Sequence, residues 1–199
     1  MDNILKKPTY IALDGEFGGI DLKYSLLQVY FAILDQDFNL LGELKLNLKP
    51  DDGDYIVCGE AMGVNKIDLV EHDKTAITYS KGRSELGNFL RTITEAGKYK
   101  LRAIGHNVGG DIRFVWDKIY ARQKWETYVS YRQLDTATIC QFLKDCGKIP
   151  PDVDGPGGVS GSLISLVRYF GIPYDEISLH DAKVDTLLTV EVYKKMLKA

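Results

Sequence analysis

Asp14 and Glu16 stand two residues apart at the end of the apolar run Thr9-Tyr10-Ile11-Ala12-Leu13. Positions i and i+2 of a strand project to one face, so both carboxylates can reach a single point. Asp111 follows a second apolar run, Leu101-Arg102-Ala103-Ile104, through Gly105-His106-Asn107-Val108-Gly109-Gly110. His180 and Asp185 open the last amphipathic segment. Carboxylates beside apolar segments are costly unless something positive meets them. No lysine or arginine lies within five residues of Asp14 or Glu16 in the sequence, so a bound divalent cation is the economical partner. Oxygen-only donors suit Mg²⁺ or Mn²⁺, whereas zinc favours nitrogen or sulfur.

Four carboxylates around two such cations, with a histidine nearby, match the needs of phosphodiester hydrolysis. One metal lowers the pKa of a bound water, and the pair stabilises the attacking and leaving oxygens. An imidazole, with an ordinary pKa of about 6.5, can take the proton at neutral pH. Asp111 falls at the start of a helix after a strand, the usual place for sites in α/β sheets. Asp185 lies in the first turns of a helix, where its charge complements the dipole. His180 precedes it by five residues, just outside that helix.

The elements that must position these groups read as follows. Thr9–Leu13 is a buried strand. Tyr24–Leu34 is a second strand, and Leu40–Leu48 is its hairpin partner across the turn-like Asp35-Gln36-Asp37-Phe38. Leu44, Leu46 and Leu48 share one face, with Lys45 and Asn47 opposite. Short and longer helices are expected over Gly59–Val64, Ser80–Glu95 (capped by Ser80 or Ser84), Gly110–Tyr120, Leu134 to near Gly147, and Ser162–Phe170 closed by Gly171. Leu101–Ile104 is a strand. Lys148–Gly161, rich in proline and glycine, is the longest loop. The last helix, Asp181–Leu197, carries Val184, Leu187, Leu188, Val192 and Met196 as its apolar stripe. A strand meander followed by alternating helices and strands predicts an α/β fold with mixed strand directions.

A chain of 199 residues suits one domain, 1–199, with no internal repeat. Its 45% hydrophobic and 27% charged content is that of a soluble globular protein. No apolar stretch approaches the roughly 18 residues of a membrane span, and residues 1–8 lack the apolar core of a secretory signal. Three cysteines without a close pair support neither a disulfide framework nor a zinc site, and point to a cytoplasmic location. The net charge of −3 argues against bulk coating of duplex nucleic acid, although two divalent cations would take it to +1.

These residues carry a family resemblance. The chain resembles the DEDDh exonucleases, the DnaQ-like branch of the ribonuclease H-like superfamily. Their Asp-x-Glu motif followed by Thr-Thr-Gly-Leu is similar to Asp14-Gly15-Glu16-Phe17-Gly18-Gly19-Ile20, and their His-Asn-x-x-Phe-Asp to His106-Asn107-Val108-Gly109-Gly110-Asp111. Their His with Asp five positions on is matched by His180 and Asp185, with Ala182 between. Secondary matches are Asp135-Thr136 and Ser162-Leu163-x-x-Leu166 running to Phe170-Gly171-Ile172. The ordered set spans about Thr9 to Leu197.

The resemblance implies a ribonuclease H-like mixed five-stranded sheet flanked by helices. It implies a 3′→5′ exonuclease that removes mononucleotides from single-stranded DNA or RNA, as a monomer or homodimer, alone or beside a polymerase. Two Mg²⁺ or Mn²⁺ ions would be held by Asp14, Glu16, Asp111 and Asp185, with His180 as general base. Phe17, Gly18 and Ile20 would line the terminal-nucleotide pocket, with His106 and Asn107 near it. Three positions depart from the pattern: Phe17 and Gly18 replace two threonines, and Gly110 replaces an aromatic residue.

Taken singly, each motif has an ordinary reading. Asp14 and Glu16 read as solvated carboxylates at a strand end, Asp111 as a helix-start residue, and His180-Asp181 as a cap. His106 and Asn107 read as structural hydrogen-bonders, His72 as a surface residue, and Tyr128, Tyr131, Tyr169 and Phe170 as core. Two other functions stay open: a catalytically idle nucleic-acid-binding module of the same fold, and a phosphoesterase acting on small nucleotides.

Overall fold

Alternation along the first strand decides the layout. A computed structural model of the chain describes residues 7–151, 158–175 and 180–199. Strand β1 (Tyr10–Phe17) turns Ile11 and Leu13 to one face and Tyr10, Ala12, Asp14 and Glu16 to the other. It pairs antiparallel with β2 (Leu26–Leu34), which pairs antiparallel with β3 (Leu40–Lys49). On its other side β1 pairs parallel with β5 (Leu101–Gly105), which pairs parallel with β6 (Val129–Asp135). A two-residue strand, β4 (Ile77–Thr78), lies parallel to the end of β3. The order is β4-β3-β2-β1-β5-β6. The four strands located in the sequence are present, β6 completes the five that the resemblance implies, and among the described residues β4 adds a sixth at the edge.

Helices cover both faces. On one face Ile11, Leu13, Val29, Phe31, Ile33, Leu46 and Leu48 pack beneath α3 (Tyr79–Ile93), α4 (Gly109–Lys118) and α5 (Arg122–Tyr128). On the other, Tyr10, Ala12, Tyr30, Ala32 and Leu34 meet Ala182, Val190 and Tyr193 of α8 (Ala182–Met196). The small Ala12 and Ala32 let α8 lie close to the strands. The opposite flank of α8 packs Leu188, Val192 and Met196 with α6 (Thr136–Asp145) and α7 (Leu163–Tyr169). The helix is therefore buried on two sides, and Leu187, expected in its stripe, is exposed. Two short helices, α1 (Gly59–Asn65) and α2 (Leu69–Thr75), fill the span between β3 and β4.

Several expectations shift. Thr78 caps α3 instead of Ser80 or Ser84, because its hydroxyl accepts from the Lys81 N–H. His72 is buried, with its ring nitrogen 2.9 Å from the Leu48 carbonyl, instead of lying on the surface. Tyr131 and Tyr169 are exposed and not in the core. Asp135 caps α6, and Gly171 follows α7 at φ 62°, a conformation glycine adopts freely. Residues 152–157 of the expected long loop fall outside the described residues, while Ile149 and Val159 at its ends are buried. Among the described residues no helix is long and apolar enough to cross a membrane.

Candidate active site

Asp14 and Glu16 lie on the face of β1 that α8 covers, and Asp185 sits in the first turn of α8. The three meet: one carboxylate oxygen from each lies within 4.8 Å of the others. Asp111, buried in the first turn of α4, stands beside them without joining that triangle. Its Oδ1 accepts from the Gly15 N–H at 3.0 Å, which ties α4 to the middle of the motif.

Crowding sets the electrostatics. Burial, then the charges of Asp111, Glu16, Asp185 and Asp181, push the Asp14 carboxyl well above the usual range. Burial and Asp185 raise Glu16 to about 8, with Lys45 pulling the other way. Burial raises Asp111 to about 7, against hydrogen bonds from backbone N–H groups including that of Gly15. Burial also raises Asp185, opposed by the charge and backbone N–H of His180. Asp185 Oδ1 is buried without a hydrogen-bond partner among the described residues. An orphaned buried carboxylate oxygen aligned with two more carboxylates fits a divalent cation with oxygen ligands.

A linkage consequence follows for the metal-free protein. Glu16 ionises near 4.5 when unfolded and near 8 when folded, so between those values the folded state binds more protons. Stability therefore falls as pH rises through that window, and Asp111 adds the same sign between 3.8 and about 7. In EDTA, melting scans should give a higher Tm at pH 6 than at pH 8. Mn²⁺ should raise Tm more at pH 8, because it competes with protons for the carboxylates. A metal-free Tm that is flat or higher at pH 8 would contradict this electrostatic picture.

His180 is exposed and adopts φ 67°, left-handed for a non-glycine residue. The next residue, Asp181, caps α8 by accepting from the Lys183 and Val184 N–H groups. Lys45 Nζ reaches Asp181 Oδ2 at 2.6 Å. This lysine neutralises Asp181 and acts on Glu16 only from a distance. It lies two strands from Asp14 along the row Asp14–Tyr30–Lys45, which only the hairpin register reveals.

The segment after Glu16 is held tightly. A Cβ on Gly18 would fall 2.5 Å from the Ile56 carbonyl oxygen and 2.8 Å from a Val57 methyl, so only glycine fits. The Cys58 N–H donates to the Gly18 carbonyl at 2.7 Å, and Asn65 Nδ2 donates to that of Phe17 at 3.0 Å. Neither Cys58 nor Asn65 carries a sequence signal for this role. Phe17 stacks on Phe114 with ring centroids 4.1 Å apart, so one face of its ring is taken by the core. Ile20 is 95% exposed. With Asp21, Leu22, Gly110, Arg113 and Phe114 it borders a recess of about 200 Å³. At Gly110 an added Cβ meets nothing within 4 Å, so the missing aromatic leaves open space and no packing defect.

His106 and the Asn107 backbone make structural hydrogen bonds. His106 Nδ1 lies 2.9 Å from the Thr136 hydroxyl, and the Asn107 N–H donates to Asp135 Oδ1 at 3.0 Å. The Asp135-Thr136 pair thus anchors the loop leading to Asp111.

No family model and no curated protein matches the sequence. Among solved structures the chain is similar to Escherichia coli exonuclease I in complex with a dT13 oligonucleotide (TM-score 0.73, 18% identity, 96% of this chain and 41% of that one). It is similar to the zinc-bound complex of the same enzyme with single-stranded DNA (TM-score 0.75, 18% identity, 96% and 40%). It is also similar to a moderately thermophilic exonuclease I from Methylocaldum szegediense (TM-score 0.71, 18% identity, 95% and 40%). The chain spans about two fifths of the length of these structures. Its mixed sheet and flanking helices are the ribonuclease H-like fold that exonuclease I carries.

Proposed function

We propose that this chain is a metal-dependent 3′→5′ exonuclease that releases nucleoside 5′-monophosphates from single-stranded DNA or RNA. The observation that carries this reading is the convergence of Asp14, Glu16 and Asp185, with one buried oxygen unpartnered among the described residues, on the fold shared with exonuclease I. Asp14, Glu16 and Asp185 would hold the first of two Mg²⁺ or Mn²⁺ ions; Asp14 would reach the second, supported by Asp111. Bound there, the cations acidify water and stabilise the attacking and leaving oxygens.

The chain's own residues do the rest. His180, exposed and next to Asp185, takes the proton from the attacking water. The pinned Phe17-Gly18 backbone offers the terminal nucleotide a fixed wall, and Ile20 offers an apolar edge to a base face. Arg113 adds a positive charge at the neighbouring recess. The reading takes the chain to act alone or as a proofreading partner of a polymerase.

Oligomers of DNA and RNA labelled at the 5′ end test it. With Mg²⁺ they should shorten from the 3′ end, and EDTA or a blocked 3′ terminus should stop the reaction. Internal cuts would make the protein an endonuclease. Cleavage of dinucleotides alone would make it a small-nucleotide phosphoesterase, and binding without cleavage an idle module.

A further inference from the structure

We infer that Gln28 is a positioning residue of this site, fixing the start of α8, and with it His180 and Asp185, through a chain of side-chain amides across the sheet. The inference rests on the proposed reading of the site as a divalent-cation centre.

Gln28 lies in β2 directly opposite Glu16 of β1 and Asn47 of β3, in one row on the face that α8 covers. The Ala182 N–H donates to Gln28 Oε1 at 3.1 Å. Gln28 Nε2 donates to Asn47 Oδ1 at 3.0 Å, and Asn47 Nδ2 makes a longer contact, 3.4 Å, to the Thr75 hydroxyl. That hydroxyl donates to the His72 carbonyl of α2 at 3.3 Å.

The direction of every link is fixed. A backbone N–H can only donate, so the Gln28 amide must present its oxygen to Ala182 and its nitrogen to Asn47. Asn47 must then present its oxygen to Gln28 and its nitrogen to Thr75. The chain starts at the helix and ends on α2, whose His72 is itself buried against β3.

The start of α8 needs this support. The first N–H groups of a helix have no partner within it. Asp181 satisfies those of Lys183 and Val184, and Gln28 satisfies that of Ala182, which is fully buried. Ala182 stands two residues after His180 and three before Asp185. The residue that flanks Glu16 in the sheet therefore also fixes the helix that delivers Asp185. It sets the spacing between the β1 carboxylates and the α8 carboxylate, the quantity on which cation affinity depends.

Groups that orient metal ligands from outside the first layer typically contribute about 10–100-fold to metal affinity or rate. Calorimetric titration of the metal-free protein with Mn²⁺ reads this without relying on cleavage. Gln28→Leu should weaken Mn²⁺ binding by about 10–100-fold, and lower kcat while leaving KM for an oligonucleotide unchanged. Asn47→Ala should weaken binding in the same direction, and the Gln28→Leu/Asn47→Ala double variant should be no worse than Gln28→Leu, since both act through one chain. Wild-type affinity in Gln28→Leu would overturn the assignment. Should Gln28→Leu not fold, wild-type Mn²⁺ affinity in Asn47→Ala would overturn it equally. A wild-type protein that binds Mn²⁺ yet cleaves no oligonucleotide refutes the exonuclease reading, and the isotherms still decide the role of Gln28.

Discussion

Asp14→Ala is expected to abolish cleavage while making the metal-free protein more heat-resistant at pH 8. The two effects have one origin. Asp14 is the most crowded carboxyl of the site, with Asp111, Glu16, Asp185 and Asp181 all raising its pKa on top of burial. That crowding is unfavourable in the absence of a cation and becomes the source of affinity when one binds. Removing the side chain relieves repulsion in the fold and removes a ligand shared by both proposed metal sites. Activity assays with excess Mg²⁺ and melting scans in EDTA read the two halves separately. Undiminished turnover would rule out the metal reading. Lost turnover with a lower Tm in EDTA would instead give Asp14 a structural role.

His180→Ala is expected to lower kcat by about 10²–10⁴-fold, the usual contribution of a general base, while Mn²⁺ affinity stays near wild type. The basis is placement. His180 is exposed in a left-handed conformation immediately before the Asp181 cap, next to Asp185 yet outside the triangle of carboxylates. A group so placed can exchange protons with water without serving as a ligand. The pH–rate profile supplies the second readout. If the rate depends on pH in the same way with alanine at 180, the histidine has no part in proton transfer.

The carboxylates were legible in the sequence because their signal is local. Two acids at i and i+2 after an apolar run need only a strand to share a face, and β1 provides it. Asp185 needed only a helix start, and Asp181 supplies the cap. The hairpin of β2 and β3 and the helices with apolar stripes were readable for the same reason. What escaped was short or set by partners distant in sequence. The α2 helix spans seven residues with His72 as its buried one, and its mark was Asp68 followed three positions later by Glu71, a capping pattern. The α5 helix buries only Trp125. The edge strand β6 leaves Tyr131, Arg132 and Gln133 exposed, so no apolar alternation marks it. Lys45, Gln28 and Asn65 touch the site only through cross-strand register or a tertiary contact, and propensity is blind to both.

Ile20 carries a last consequence. Folding leaves this side chain almost wholly in water, so the molecule retains apolar surface that its own core does not use. Complete removal of an isoleucine from water is worth about 1.5–3 kcal/mol, or one to two decades in an equilibrium constant. If the proposed function holds, a terminal nucleotide that covers Ile20 would collect that gain whichever base it presents, since purines and pyrimidines alike offer a flat, weakly polar plane. On the proposed reading such an anchor would grip without discriminating, which suits removal of nucleotides from any sequence.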